Sequence, residues 1–153
     1  MTLALLFVAV YPTVAAKLGP AVPSISNLNG LALLNSAEGW AVGDSGTILL
    51  LEGNSWSLIP SGTGLDLFGV SFGPPNTPNS QAGFAVGGSG GTATALYHGT
   101  GGWFSVTTGL SSPGAQKLAS VSVLSPTDAW AVDSVSGGIW HWSGTAGLGG
   151  GWG

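Results

Sequence analysis

The sequence contains no cysteine, which excludes a disulfide framework and any metal site built on thiolates. It contains no arginine, and Lys17 and Lys117 are its only lysines. Nucleic-acid binding rests on neutralising phosphates with Lys and Arg, so that class is excluded. A polybasic membrane-binding patch fails for the same reason. Charged residues make up 5% of the chain, and its net charge is −4. A typical soluble protein is about 25% charged. Solubility must come from Ser, Thr, Asn and backbone groups, and a surface with so little charge repulsion favours association.

Catalytic signatures are also sparse. Ser89, within Gly87-Gly88-Ser89-Gly90-Gly91, reads as a hairpin residue and not as the nucleophile of a strand-to-helix elbow. Residues 87–91 are Gly-rich but lack the Lys and following helix that a phosphate loop needs. The acids are Glu38, Asp44, Glu52, Asp66, Asp128 and Asp133. A glycosidase needs two carboxylates facing one sugar ring, roughly 5 to 10 Å apart. Glu38 and Asp128 each lie two residues before a Trp-Ala-Val segment, and Asp44 and Asp133 nearly correspond in the same way. Such repetition favours turn capping by carboxylates over catalysis. His98 and His141, with no Cys and scattered acids, make a poor ligand set for a metal. The expectation is therefore no enzyme activity, no cofactor and no metal.

What the chain has in abundance is glycine, with 28 residues, and tryptophan, with seven. Trp40-Ala41-Val42-Gly43, Phe84-Ala85-Val86-Gly87 and Trp130-Ala131-Val132-Asp133 start 44 and 46 residues apart. Glycine hairpins follow each segment at Asp44-Ser45-Gly46, Ser89-Gly90-Gly91 and Ser136-Gly137-Gly138. Trp56, Trp103 and Trp152 open a fourth strand each, at spacings of 47 and 49. Short strands, glycine turns and this period predict an all-β protein of four-stranded antiparallel propeller blades. The blades fall at residues 28–63, 64–112 and 117–153, with 17–27 as a proline-bearing lead-in. The third ends where its last strand should begin, so about three blades are present and the last is incomplete. Closed propellers have four to eight. The chain therefore reads either as a fragment of a longer propeller or as a unit whose copies associate, through open sheet edges with few charged gatekeepers.

Residues 3–10 form an apolar run too short to span a bilayer but of signal-peptide length. Val14-Ala15-Ala16 then supplies small residues at a cleavage site before Lys17, although no basic residue precedes the run. Residues 1–16 read as an export signal, giving a periplasmic, cell-surface or extracellular protein. A buried strand of an upstream blade is the alternative.

Residues 39–49, from Gly39-Trp40-Ala41-Val42-Gly43 to Thr47-Ile48-Leu49, resemble repeats of the photosystem II assembly and stability factor type. Asp128-Ala129-Trp130-Ala131-Val132 and Ile139-Trp140-His141-Trp142-Ser143-Gly144 are similar to the same repeat. These are sialidase-like bacterial neuraminidase repeats, also found in secreted bacterial proteins. The resemblance covers residues 28–153 and implies a propeller. Two departures limit what it implies about activity. Sialidases grip the substrate carboxylate with arginines, and this chain has none. The photosystem factors present a basic surface to their client, which nothing here matches. The superfamily's Asp-box turn survives only as Glu52-Gly53-Asn54-Ser55-Trp56.

Trp40, Trp56, Trp103 and Trp130 recur in phase, which blade packing explains. Trp140 and Trp142 lie outside that phase on one face of a strand, with His141 between them on the other. Exposed aromatic pairs stack on sugars or anchor proteins. Trp140, Trp142 and His141 are therefore the candidate binding residues, against the alternative that they pack between blades. The functional expectation is a non-catalytic binding or scaffold module for a protein or glycan. The alternatives are a glycan-active, sialidase-like propeller and an assembly factor for a photosystem-like membrane complex.

Overall fold

The computed structural model describes residues 26–74, 82–111 and 114–153. The apolar run at 3–10, the cleavage-like Val14-Ala15-Ala16 and most of the lead-in lie outside the described residues. The first sheet pairs β1 (Leu28–Asn35), β2 (Glu38–Gly43), β3 (Ile48–Glu52) and β4 (Ser55–Leu58) in that order. The second pairs β5 (Leu67–Phe72), β6 (Gly83–Ser89), β7 (Thr92–Gly99) and β8 (Gly102–Ser105). The third pairs β9 (Leu118–Ser125), β10 (Asp128–Asp133), β11 (Ile139–Ser143) and β12 (Gly151–Trp152). All pairings are antiparallel. The first strands β1, β5 and β9 touch in succession, so three meandering blades stand side by side about an axis. This is a partial β-propeller, with a final strand of two residues.

The Trp-Ala-Val segments are the second strands, and their two faces serve two neighbours. Trp40, Val42 and Ile48 of the first blade pack on Leu67, Ala85 and Leu96 of the second. Phe84, Val86 and Ala95 of the second pack on Val121, Ala131 and Trp142 of the third. The middle blade is thus covered on both sides, and six of the seven residues of β6 are buried. In β10 the burial alternates instead, because only one face has a neighbour.

The inner strands meet closely because Gly30 and Gly69 have no side chain. A Cβ at Gly30 would lie 2.8 Å from the Phe68 carbonyl oxygen, and one at Gly69 would lie 2.9 Å from Ser120 Cα. At the opposite turn, one backbone hydrogen bond recurs in every blade. The Asp44, Gly88 and Ser134 N–H groups donate to the carbonyls of Asn27, Asp66 and Lys117 at 3.0, 2.9 and 3.0 Å. In the first hairpin both Ser45 (φ 53°) and Gly46 (φ 70°) are left-handed.

His98 lies inside β7 opposite Trp103. On the first blade Leu31, Leu33 and Leu58 are exposed, and on the third Trp130, Val132 and Ile139.

Candidate functional site

The inner strands enclose a cleft of about 560 Å3 at the end carrying the β1–β2 turn. Leu31, Asn35 and Glu38 line it from the first blade, Ser71 and Phe72 from the second, and Val123 from the third. Its walls are fixed by packing. Phe72 stacks on Trp40 at 5.8 Å and meets Trp103 edge-on at 6.0 Å. Ser71 Oγ accepts the Val123 N–H at 3.3 Å, tying the second blade to the third. At the rim, Asn35 accepts the Ala37 N–H at 2.8 Å and donates to Glu38 Oε2 at 3.3 Å. The cleft therefore combines an apolar floor, an amide, a hydroxyl and one carboxylate. Its size and make-up suit recognition of a small ligand or an extended segment.

Asp44, Asp66 and Asp133 have identifiable local partners. Asp44 accepts the side-chain amides of Asn29 and Asn27, each at 2.8 Å, and these bonds hold its pKa below the ordinary carboxylate value. Asp66 accepts the Ser45 N–H at 2.9 Å. Burial of Asp133 acts to raise its pKa. Backbone N–H donors from Ser136, Gln116, Val135 and Lys117 outweigh that and hold it well below the usual range. Asp44 and Asp133 are thus turn clamps. Glu38 and Asp128 open β2 and β10, the equivalent positions read from the repeat. Spacing did not show that Glu38 also stands directly opposite Glu52. Among the described residues, no group of three or more His, Asp or Glu could hold a metal ion.

The candidate binding residues separate. Trp142 is 1% exposed and sits in the core between the second and third blades, 5.4 Å from Phe84 and 5.8 Å from Trp152. Trp140 is half-buried against the same core. The two do share a face, but it is the face turned toward the second blade. They cannot form an exposed sugar platform, and packing is their role. His141 lies on the other face as the alternation requires. It stacks on Trp130 with ring centroids 4.1 Å apart and planes 19° from parallel. Its Nε2 lies 3.0 Å from Asp128 Oδ1. The structure thus joins Trp130, His141 and Asp128, a group that sequence spacing alone did not assemble. Register makes the join, because Trp130 pairs with His141 across β10 and β11.

No family model matches the chain, and no curated protein matches it. Among solved structures, it is similar to YCF48 bound to D1 peptide, at 18% identity and a TM-score of 0.62. The match covers 86% of this chain and 41% of that one. The chain therefore spans less than half the length of this neighbour. The likeness is one of fold, and it agrees with three blades of a β-propeller.

Proposed function

We propose that this chain is a non-catalytic, exported propeller module that binds a segment of a protein partner in the cleft between its inner strands. The carrying observation is the cleft itself, a preformed apolar floor with a single carboxylate at its rim. Glu38, and the absence of Lys or Arg among the described lining residues, favour a segment with apolar side chains and a basic or amino group. The peptide held by the YCF48 neighbour supports a peptide as the ligand class, by analogy of fold alone. An assembly-factor role for a membrane complex rests on the same analogy. Export is supported by residues 3–10 and the small residues that follow. Cell fractionation with N-terminal sequencing tests it, and a cytoplasmic chain retaining residue 3 would refute it.

Selection from a random peptide display library tests the binding reading. Enriched peptides should carry an apolar residue near Lys or Arg, and should lose at least tenfold in affinity to Phe72→Ala and to Glu38→Lys. An empty selection, or binders indifferent to both changes, would sink it. Hydrolysis of a glycan that Glu38→Gln or Glu52→Gln abolishes would refute the absence of catalysis.

Glycan binding remains a second reading on one observation, the stacked and accessible Trp130–His141 pair. Glycan-array binding that survives Trp130→Ala would remove its basis.

A further inference from the structure

A second cleft, of about 680 Å3, lies at the end opposite the inner-strand cleft, around the β6–β7 hairpin of the middle blade. Thr63 and Leu65 close it from the link that enters β5, and Leu110 and Gln116 from the link that enters β9. It is therefore built from the middle blade and the chain that joins that blade to its neighbours on either side. Strand alternation sets four hydroxyls on one face of the blade. Thr92 and Thr94 share the face of Leu96, which packs on the first blade, and Ser105 stands opposite Leu96 across β7 and β8. The Val106 N–H donates to the Ala95 carbonyl at 2.9 Å, which carries Thr107 abreast of Thr94.

Thr94 is the residue that packing alone does not explain. It is 3% exposed and lines the cleft, and among the described residues its hydroxyl has no hydrogen-bond partner. A buried hydroxyl without a partner is destabilising, and valine has the same branched shape without that penalty. Thr63 also has a donor to spare. Its Oγ1 accepts the Leu65 N–H at 3.1 Å, which fixes the side chain and leaves the O–H to donate elsewhere. Thr92, Ser105 and Thr107 are exposed around Thr94, and Gln116 adds an amide. None of the described lining residues is charged or aromatic.

We propose that this cleft binds a neutral saccharide of one or two rings, with the Thr94 hydroxyl as its central contact. An ionic ligand finds no counter-charge here, so desolvating its charge would go uncompensated. A purely apolar ligand would seal the Thr94 hydroxyl away from water as well as from protein. A sugar matches the lining because each of its hydroxyls, like each Ser and Thr, both donates and accepts. Leu65 and Leu110 supply apolar surface for the C–H groups of the ring. The hydroxyls stand on a sheet face, where a peptide backbone cannot add as a further strand. The site is separate from the peptide cleft at Glu38 and Phe72, and it stands whether or not that reading holds.

Heteronuclear NMR of the isotope-labelled full chain, titrated with glucose, galactose, mannose, N-acetylglucosamine, maltose and cellobiose, tests the proposal. At least one sugar should shift the amides of Thr63, Thr94 and Thr107 saturably, and glucuronic acid should not. Thr94→Val should weaken that sugar at least tenfold and leave thermal stability unchanged or higher. Thr94→Ser, which restores a hydroxyl, should recover part of the affinity. Thr107→Val, at an exposed position, should weaken binding too, so the result does not hang on one buried substitution. Glu38→Lys, Phe72→Ala and Trp130→Ala should leave the sugar's affinity unchanged, which separates this site from the peptide cleft and from the Trp130–His141 pair. No saturable shift with any sugar, equal shifts with glucuronic acid, or a sugar that binds Thr94→Val as well as the parent would overturn the proposal. So would a displayed peptide whose binding is lost in Thr94→Val, since the cleft would then belong to a peptide.

Discussion

The indole of Trp152 donates its Nε1–H to the carbonyl of Val106 at 3.0 Å, across 46 residues of chain. The Trp152 backbone N–H also donates to the Thr108 carbonyl at 2.9 Å. The two-residue strand β12 thus clasps the loop that leaves the second blade. Its ring completes the aromatic set around Phe84 and Trp142.

Trp152→Phe should keep most of the packing and lose the indole bond, at about 1 kcal/mol. Trp152→Ala should cost about 3–5 kcal/mol, because it also leaves a cavity between two blades. Urea unfolding followed by circular dichroism reads both values. Equal costs would show that the clasp is not where the stability lies.

Trp142 and Trp130 make a contrasting pair. Trp142→Ala removes a fully buried ring and should cost about 3–5 kcal/mol. Trp130→Ala acts on an exposed ring and should change the stability of the single chain by less than about 1 kcal/mol. Both are measured at the lowest workable protein concentration, so that association does not contribute. A Trp142→Ala variant as stable as the parent would restore the sugar-platform reading of that residue.

Gly69 allows β5 and β9 to approach. Gly69→Val should force the inner strands apart and cost about 1–3 kcal/mol. Gly64→Ala, where an added Cβ meets nothing within 4 Å, is the control and should be nearly neutral. Thermal melts that rank the two the other way would refute the tight axial contact.

Asp133 predicts acid sensitivity with a definite sign. Its folded pKa is depressed, so its contribution is fully present above its unfolded pKa of about 4. That contribution is lost progressively as the pH falls toward the folded value. Asp133→Asn should cost about 1–3 kcal/mol at neutral pH, from donors left without their acceptor. It should also flatten the fall in stability below about pH 4. Urea titrations at stepped pH would show parallel curves for parent and variant if Asp133 were not the clamp.

The sequence by itself determined the repeat and hence the fold class. Trp40, Phe84 and Trp130 mark equivalent second strands, and hairpin glycines such as Gly46 mark the turns. A period of that kind survives in sequence because every blade must solve the same packing problem. The sequence also carried the side alternation that sets His141 apart from Trp140 and Trp142. Tertiary structure alone decided which side was covered. Trp130 and Trp40 share a repeat position, yet a neighbouring blade lies over one and not the other. Burial is a property of the pair of blades and is written in neither strand. Register decided the remainder. The third-strand residues Leu51, His98 and Trp142, each opposite the residue before the aromatic, stand 11, 14 and 12 residues after Trp40, Phe84 and Trp130, because the hairpins differ in length. Linear spacing therefore hides an equivalence that cross-strand hydrogen bonds make plain. The cleft, too, draws its residues from three blades whose inner strands meet only once the sheets stack.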